Sequence, residues 1–215
     1  MCSVSGGLRL VERDREIMKE VERWRFLLGR QIKVLCGFAG QRACDRRLKK
    51  LIDAEYLERK YYIYGIPGLY FVTKKAVEIF NLDFFTPNIR IEQIEHDIAV
   101  IDTTIYLISK GVSLKDITTE RELKHINGFG NPKHEPDFLY KKEGKTYCVE
   151  VELSAKKQYT VEKNIKENYI KYDIQQWFIS EGKIKIVEYV KKASNQYANV
   201  EIIPLEEVQK YVKSL

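Results

Sequence analysis

The sequence predicts an α+β chain in two parts. A small helical part closed by a β-hairpin comes first, and an α/β part built on a mixed sheet follows. Three observations predict this. Over residues 1–83, apolar side chains recur at helical spacing and then give way to two short strands around a Gly-Ile-Pro-Gly tip. From residue 112 onward the period changes, and strand-like runs alternate with helical ones. All of the formal net charge of +6 lies in residues 1–83, which hold 17 Lys and Arg against 11 Asp and Glu; the other 132 residues hold 20 of each.

A chain of 215 residues fits one large domain or two small ones. With 44% hydrophobic and 32% charged residues it is no collagen-like, mucin-like or mainly disordered chain. No run of 18 apolar residues occurs, so no membrane partner is expected. The segment MCSVSGGLRLVERDRE does not read as a signal peptide. Cys2, Cys36, Cys44 and Cys148 are scattered without a CxxC pair, which argues against a zinc knuckle or a disulfide framework and for a cytoplasmic setting.

The first domain is expected over residues 1–83. Ile17, Val21 and Trp24 mark a helix over residues 13–24, and Ile32 and Leu35 a short second helix over residues 30–36. Gly37-Phe38-Ala39-Gly40 is a turn, and residues 41–53 a third helix with Ala43, Cys44, Leu48, Leu51 and Ile52 inward. A strand reaching Tyr64, the tip Gly65-Ile66-Pro67-Gly68 and a return strand over residues 69–72 form a hairpin. Thr73 caps a fourth helix. Helix, short helix, turn, helix, hairpin is the order of a winged helix-turn-helix.

The third helix carries the chemistry of this part. Arg42, Arg46 and Lys49 stand at i, i+4 and i+7 on one face, Arg47 and Lys50 flank it, and the apolar series lies opposite. A helix lying in a major groove needs such an apolar back and cationic front. Gln41 and Arg42 are the candidates for base edges; Arg47 and Lys50 suit phosphates. Lys60, Tyr61 and Tyr62 on the wing add backbone contacts. The partner is then double-stranded DNA. The alternative is a protein-contact module with a solvated basic face.

NLDFFTPN, with Pro87, is the expected boundary, so the second domain spans residues 84–215. Residues 89–109 read as one helix with Ile91, Ile94, Ile98, Ile101, Ile105 and Ile108 in a stripe, long enough to pack on a sheet or on a second copy in a homodimer. His96 is either a satisfied buried histidine or a group facing a site. ITTEREL is a strand end or a helical turn, and a loop at Gly128, Gly130, Asn131 and Pro132 follows. Asp137 opens the strand DFLYKK, Glu143-Gly144-Lys145 turns, and TYCVEVEL returns. Alternation sends Glu150 and Glu152 to one face, with Asp137 across the hairpin. A helix with Ile165, Tyr169 and Tyr172 inward, strands over residues 184–190 and 200–203, and a last helix over residues 205–212 complete an α/β domain.

Carboxylates clustered on a half-buried strand face repel and are costly to desolvate. A hard cation such as Mg²⁺ or Mn²⁺ offsets both penalties. The alternative is a solvated face, or one paired with Lys156 and Lys157.

EPDFLYKKEGKTYCVEVE resembles the PD-(D/E)xK nuclease signature, with Pro136-Asp137, a hairpin, and Glu150-x-Glu152. The resemblance implies a restriction-endonuclease-like α/β fold, with Asp137 and Glu150 as metal ligands and Glu120 or Glu122 as an upstream acidic ligand. Glu152 stands at the position of that family's lysine, and Lys156 supplies the charge from the next segment. Over residues 10 to about 190 the order of IEHDIAVIDTTIYL, TTEREL, EPDFLY, CVEVELS and NYIKY after a winged helix resembles the replication-relaxation family. His96, Asp137, Glu150, Glu152 and Tyr169 match its recurrent pattern. That family serves plasmids, conjugative elements and phages. The implied function is DNA binding in replication, DNA relaxation or conjugative transfer, beside a relaxase or replication initiator, with metal-dependent nicking at Asp137, Glu150, Glu152 and Lys156. The alternative is a winged-helix regulator or accessory protein whose second domain dimerises or binds a partner. The sequence has neither a GxxxxGK[ST] loop nor a GxGxxG turn, so a nucleotide enzyme lacks support.

Overall fold

The computed structural model describes residues 8–86, 88–128 and 134–215. Pro87, the loop residues Gly130, Asn131 and Pro132, and Cys2 lie outside the described residues. The chain is a mixed α+β protein in two compact units, Met1–Ile94 and Glu95–Leu215. The division follows Ile94 rather than residue 83. One reason is local: the Phe84 amide donates to Glu22 at 2.7 Å and ties the segment after residue 83 back to the first helix.

In the first unit α1 (Glu12–Arg23) is followed by β1 (Leu27–Leu28), α2 (Gly29–Leu35) and α3 (Gln41–Asp53). α2 ends as Gly37 turns into the left-handed region at φ +62°, where a side chain would be strained. β2 (Leu57–Lys60) and β3 (Leu69–Val72) pair antiparallel, with Leu57 opposite Val72 and Lys60 opposite Leu69. β1 adds to the far edge of β3, giving the order β1-β3-β2. Sequence reasoning missed β1, whose two leucines carry no period. The hairpin strand ends at Lys60, not Tyr64, and Tyr61, Tyr62 and Tyr64 stand exposed beyond it. α4 (Lys74–Phe80) starts at Thr73, whose hydroxyl accepts from the Ala76 amide at 3.1 Å. Ile17, Val21, Phe26, Ile32, Leu48 and Leu51 are buried in this unit.

In the second unit the expected helix over residues 89–109 is α5 (Ile94–Ser109), preceded by a 3₁₀ turn at Ile91–Gln93. Ile94, Ile101 and Ile105 are buried within the chain, while Ile91 is exposed in the 3₁₀ turn. Ile98 and Ile108 are half-buried, so only part of the stripe is covered within the chain. ITTEREL is both of its alternatives at once, β4 (Ile117–Thr119) running into α6 (Glu120–Asn127). β5 (Phe138–Lys142) and β6 (Lys145–Glu152) form a hairpin whose two turn residues, Glu143 and Gly144, both have positive φ. α7 (Gln158–Lys171), β7 (Ile174–Ile179), α8 (Ile184–Ser194), β8 (Val200–Pro204) and α9 (Leu205–Lys213) follow.

The sheet runs β4-β5-β6-β7-β8; β4, β5 and β6 pair antiparallel, while β6, β7 and β8 pair parallel. Two expectations are corrected here. Residues 184–190 are helical, because Ile186, Val190 and Ala193 recur at i, i+4 and i+7 and seat α8 on the sheet. The strand lies earlier, in IQQWFI, where Gln175 to Ile179 are all buried and no alternation marks it. Tyr169, expected inward, is exposed and packs on Tyr197, with ring centroids 5.0 Å apart. Among the described residues no helix is long and apolar enough to cross a membrane.

Candidate functional site

In the first unit α3 is backed by buried Cys44, Leu48 and Leu51. The Cys44 thiol donates to the Gly29 carbonyl at 3.6 Å and sets α3 against α2. Arg42, Arg46 and Lys50 are exposed on the other side and make no ion pair among the described residues. Lys49 pairs with Asp53 at 3.1 Å, with both ends largely in solvent, and Gln41 donates to Asp45 at 2.8 Å. These contacts are weak enough to be exchanged.

Arg47 is different. Its Nε donates to Asp14 at 2.6 Å, a second nitrogen grips the same carboxylate, and it also reaches the Arg9 carbonyl at 3.0 Å. Asp14 is fully buried, so Arg47 ties α3 to the start of α1 instead of facing phosphates. On the hairpin Lys60 pairs with Glu58 at 2.6 Å, and Arg59 lies over the rings of Tyr61 and Tyr70. A groove of about 610 Å³ runs between α3 and the hairpin, lined by Gln41, Asp45, Lys49, Arg59 and Tyr70 among others.

In the second unit the register assembles a row of acids. Thr119 pairs with Phe138, and Phe138 with Val149. One step on, the Glu120 amide donates to the Asp137 carbonyl at 3.0 Å, and the Asp137 amide to the Val149 carbonyl at 3.1 Å. Glu120, Asp137 and Glu150 therefore succeed one another across three strands. Their carboxylates do not all meet. Glu120 pairs with Lys124, and Glu122 caps α6 by accepting from the Thr119 amide at 2.7 Å.

Each remaining carboxylate has a histidine or lysine beside it. The Asp137 carboxylate accepts from the Val151 amide at 2.7 Å and lies 3.5 Å from His96 Nε2. The same nitrogen is 3.0 Å from the Val151 carbonyl, and His96 Nδ1 is 3.5 Å from Asp97. So His96 has partners on both ring nitrogens and lies beside Asp137. Burial alone disfavours the imidazolium, but hydrogen bonds to Asp137 and then Asp97 outweigh it and push its pKa up to about 11. Burial acts against the Asp137 carboxylate too, yet His96 holds it below the usual range.

Glu150, almost fully buried, accepts from His134 at 2.5 Å and from Asn168 at 2.9 Å through one oxygen. Glu152 pairs with Lys156. Burial raises the Glu152 pKa to about 7 against the opposing pull of Lys156. Burial also works against the Lys156 ammonium, but Glu152 and then Glu150 hold its pKa above the ordinary lysine value. Lys156 thus stands beside Glu152 and Glu150.

Sequence reasoning missed His134 and Asn168. Asn168 left a signal: Val161, Ile165 and Asn168 share the buried stripe of α7, and an amide in such a stripe needs partners. The Asn168 amide nitrogen has one in Glu150, while its oxygen is buried with no partner among the described residues. Such an orphan costs about 1–3 kcal/mol.

No family model, curated protein or solved structure matches this chain.

Among the described residues no group of three His, Cys, Asp or Glu side chains is arranged to hold a metal ion.

Proposed function

We propose that the chain binds double-stranded DNA through its first unit, as a winged helix-turn-helix with α3 as the recognition helix. The observation that carries this is the exposed, unpaired cationic face of Arg42, Arg46 and Lys50 on a helix whose opposite side is buried. The helix, strand, helix, helix, hairpin order supports it, as does the +6 charge confined to residues 1–83. Gln41 and Arg42 at the start of α3 would reach base edges, while Arg46, Lys49 and Lys50 would neutralise phosphates. Lys60, Tyr61 and Tyr62 add wing contacts. The resemblance to the replication-relaxation family assigns the DNA to a plasmid or other mobile element in replication, relaxation or transfer, beside a relaxase or replication initiator.

The test is fluorescence anisotropy of the full chain with labelled duplex DNA. R42A/R46A/K50A is expected to weaken binding at least tenfold, with an unchanged melting temperature. Equal affinity of the triple variant and wild type would end the assignment.

The second unit is proposed as the nuclease-like partner of that module, a restriction-endonuclease-like α/β fold. Asp137 and Glu150 would hold a Mg²⁺ or Mn²⁺ ion there. Such an ion, when bound, neutralises charge on a scissile phosphate and lowers the pKa of an attacking water. Glu152, with a pKa near 7, is suited to take up a proton at its carboxylate. Lys156 keeps a positive charge beside it for a phosphate oxygen.

One observation favours a second reading. His96 and Lys156 set positive charge beside Asp137 and Glu152, and His134 is hydrogen-bonded to Glu150. A domain balanced in this way can serve as a non-cleaving platform for a partner in the same complex. Cleavage of supercoiled plasmid in Mn²⁺ separates the two. Wild type should nick and Asp137→Asn should not if the site is catalytic; both leave the plasmid intact if it is a platform.

A further inference from the structure

We infer that the hairpin of the first unit carries a stacking platform for an unpaired nucleobase, so that the chain takes duplex DNA beside a single-stranded stretch. The inference rests on the DNA-binding reading of the first unit and deepens it by naming the form of the DNA.

The platform is built from the hairpin outward. Arg59 on β2 stands directly opposite Tyr70 on β3. Its guanidinium lies over the ring of buried Tyr70, 5.3 Å from the centroid, and over the ring of Tyr61, 5.1 Å from the centroid. A guanidinium over an aromatic face is attracted by the ring quadrupole. Arg59 makes no ion pair among the described residues, so the two rings are what orient it.

Gly68 makes room for this arrangement. Its φ lies outside the left-handed region, so the backbone does not require glycine there. A Cβ at this position would lie 2.5 Å from Arg59 Nε and 3.0 Å from Tyr61 Cε1. The missing side chain leaves space for the guanidinium against the Tyr61 ring.

The outer end of the stack is open. Tyr61 is 69% exposed, and Tyr64 is wholly exposed. Tyr62, between them, meets Phe71 edge-on with ring centroids 6.1 Å apart. The face of an aromatic ring is negative, so a phosphate gains nothing from it, whereas the flat face of a base does. In a duplex, base faces are covered by their neighbours; an unpaired base offers one. The +6 charge of residues 1–83 and the guanidinium against Tyr61 suit a polyanion that carries such bases, rather than an apolar protein surface. Arg59 and Tyr70 also line the groove shared with Gln41 and Lys49 of α3. The stack therefore borders the proposed recognition helix, and one DNA can engage both.

The test is fluorescence anisotropy of the full chain with two labelled DNAs of mixed sequence. One is a blunt duplex; the other is the same duplex with a single-stranded tail containing a fluorescent purine whose emission falls on stacking. Wild type should bind the tailed DNA more tightly by about fivefold or more, with loss of the purine emission. Y61A/Y64A should bring the ratio of the two affinities close to one. Tyr61→Phe keeps the ring and should preserve the ratio. Gly68→Ala keeps both rings but displaces the guanidinium, and should lower the ratio as well.

A wild-type ratio near one with clear duplex binding, or an unchanged ratio in Y61A/Y64A, would overturn the platform and leave the duplex reading standing. Binding of neither DNA by wild type would overturn both. An unchanged ratio in Gly68→Ala would overturn the part given to Arg59. Should Gly68→Ala fail to fold, Y61A/Y64A decides, since both rings are exposed and their loss leaves the core intact.

Discussion

Arg47 and Arg46 are neighbours in sequence with identical side chains, yet the fold uses them oppositely. Arg46 points to solvent, while Arg47 closes a fork on Asp14, a carboxylate with no exposure. Removing one partner of such a pair leaves a buried charge uncompensated. Arg47→Ala should therefore lower stability by about 3 kcal/mol, read as a shift in the urea midpoint. Arg46→Ala should leave that midpoint unchanged and act on DNA affinity alone.

Glu206 provides a pH-dependent case away from the acidic row. Burial works against its charge, but hydrogen bonds from Ser180 at 2.8 Å and the Glu181 amide at 3.0 Å hold its pKa below the ordinary glutamate value. A depressed carboxyl contributes stability that is present above its unfolded pKa and lost as pH falls through the folded one. Wild type should thus lose more melting temperature between pH 6 and pH 3 than Glu206→Gln does. Parallel pH profiles of the two would remove this linkage.

At the scale of elements, turns and buried stripes decide the second unit. The β5–β6 hairpin turns through Glu143 at φ +52° and Gly144 at φ +76°. A Cβ in the left-handed region costs about 1–2 kcal/mol, so Gly144→Ala should destabilise by that order. Glu143→Asn, better suited to the same region, should gain a few tenths. Equal unfolding midpoints for Gly144→Ala and wild type would mean that the turn is not the one described. β7 is more sensitive still. Trp177 is fully buried in the cluster under α7 and α8, and Trp177→Ala should cost about 3–5 kcal/mol.

For the whole molecule, the concentration of positive charge in the first unit has a thermodynamic signature. If the chain binds duplex DNA as proposed, log affinity should fall linearly with log salt, with a slope set by the phosphates neutralised. R42A/R46A/K50A should flatten that slope by roughly 0.9 for each phosphate left without its cation, about 2 for Arg46 and Lys50 together. Substituting Lys141, Lys142 and Lys145 on the second unit by Ala should leave it nearly unchanged. A reversed result would move the DNA-facing surface to the second unit.

Local order was legible wherever local physics dominates. The α3 stripe, the Thr73 cap, the β5–β6 hairpin and the opposition of Asp137 to Glu150 all follow from spacing, capping and a turn of fixed length. Where burial erases periodicity, the sequence misled. IQQWFI alternates nothing because the parallel strand β7 is covered on both faces, and the short apolar run at residues 184–190 suits strand and helix equally until Val190 and Ala193 meet the sheet. The partners of charged groups were legible least. That Arg47 serves Asp14, that Glu122 caps its own helix, and that His96, His134, Lys156 and Asn168 converge on three acids are contacts between segments distant in the chain or choices among equivalent side chains. Sequence spacing orders residues along one element, but only packing of several elements fixes which opposite charges are close enough to interact.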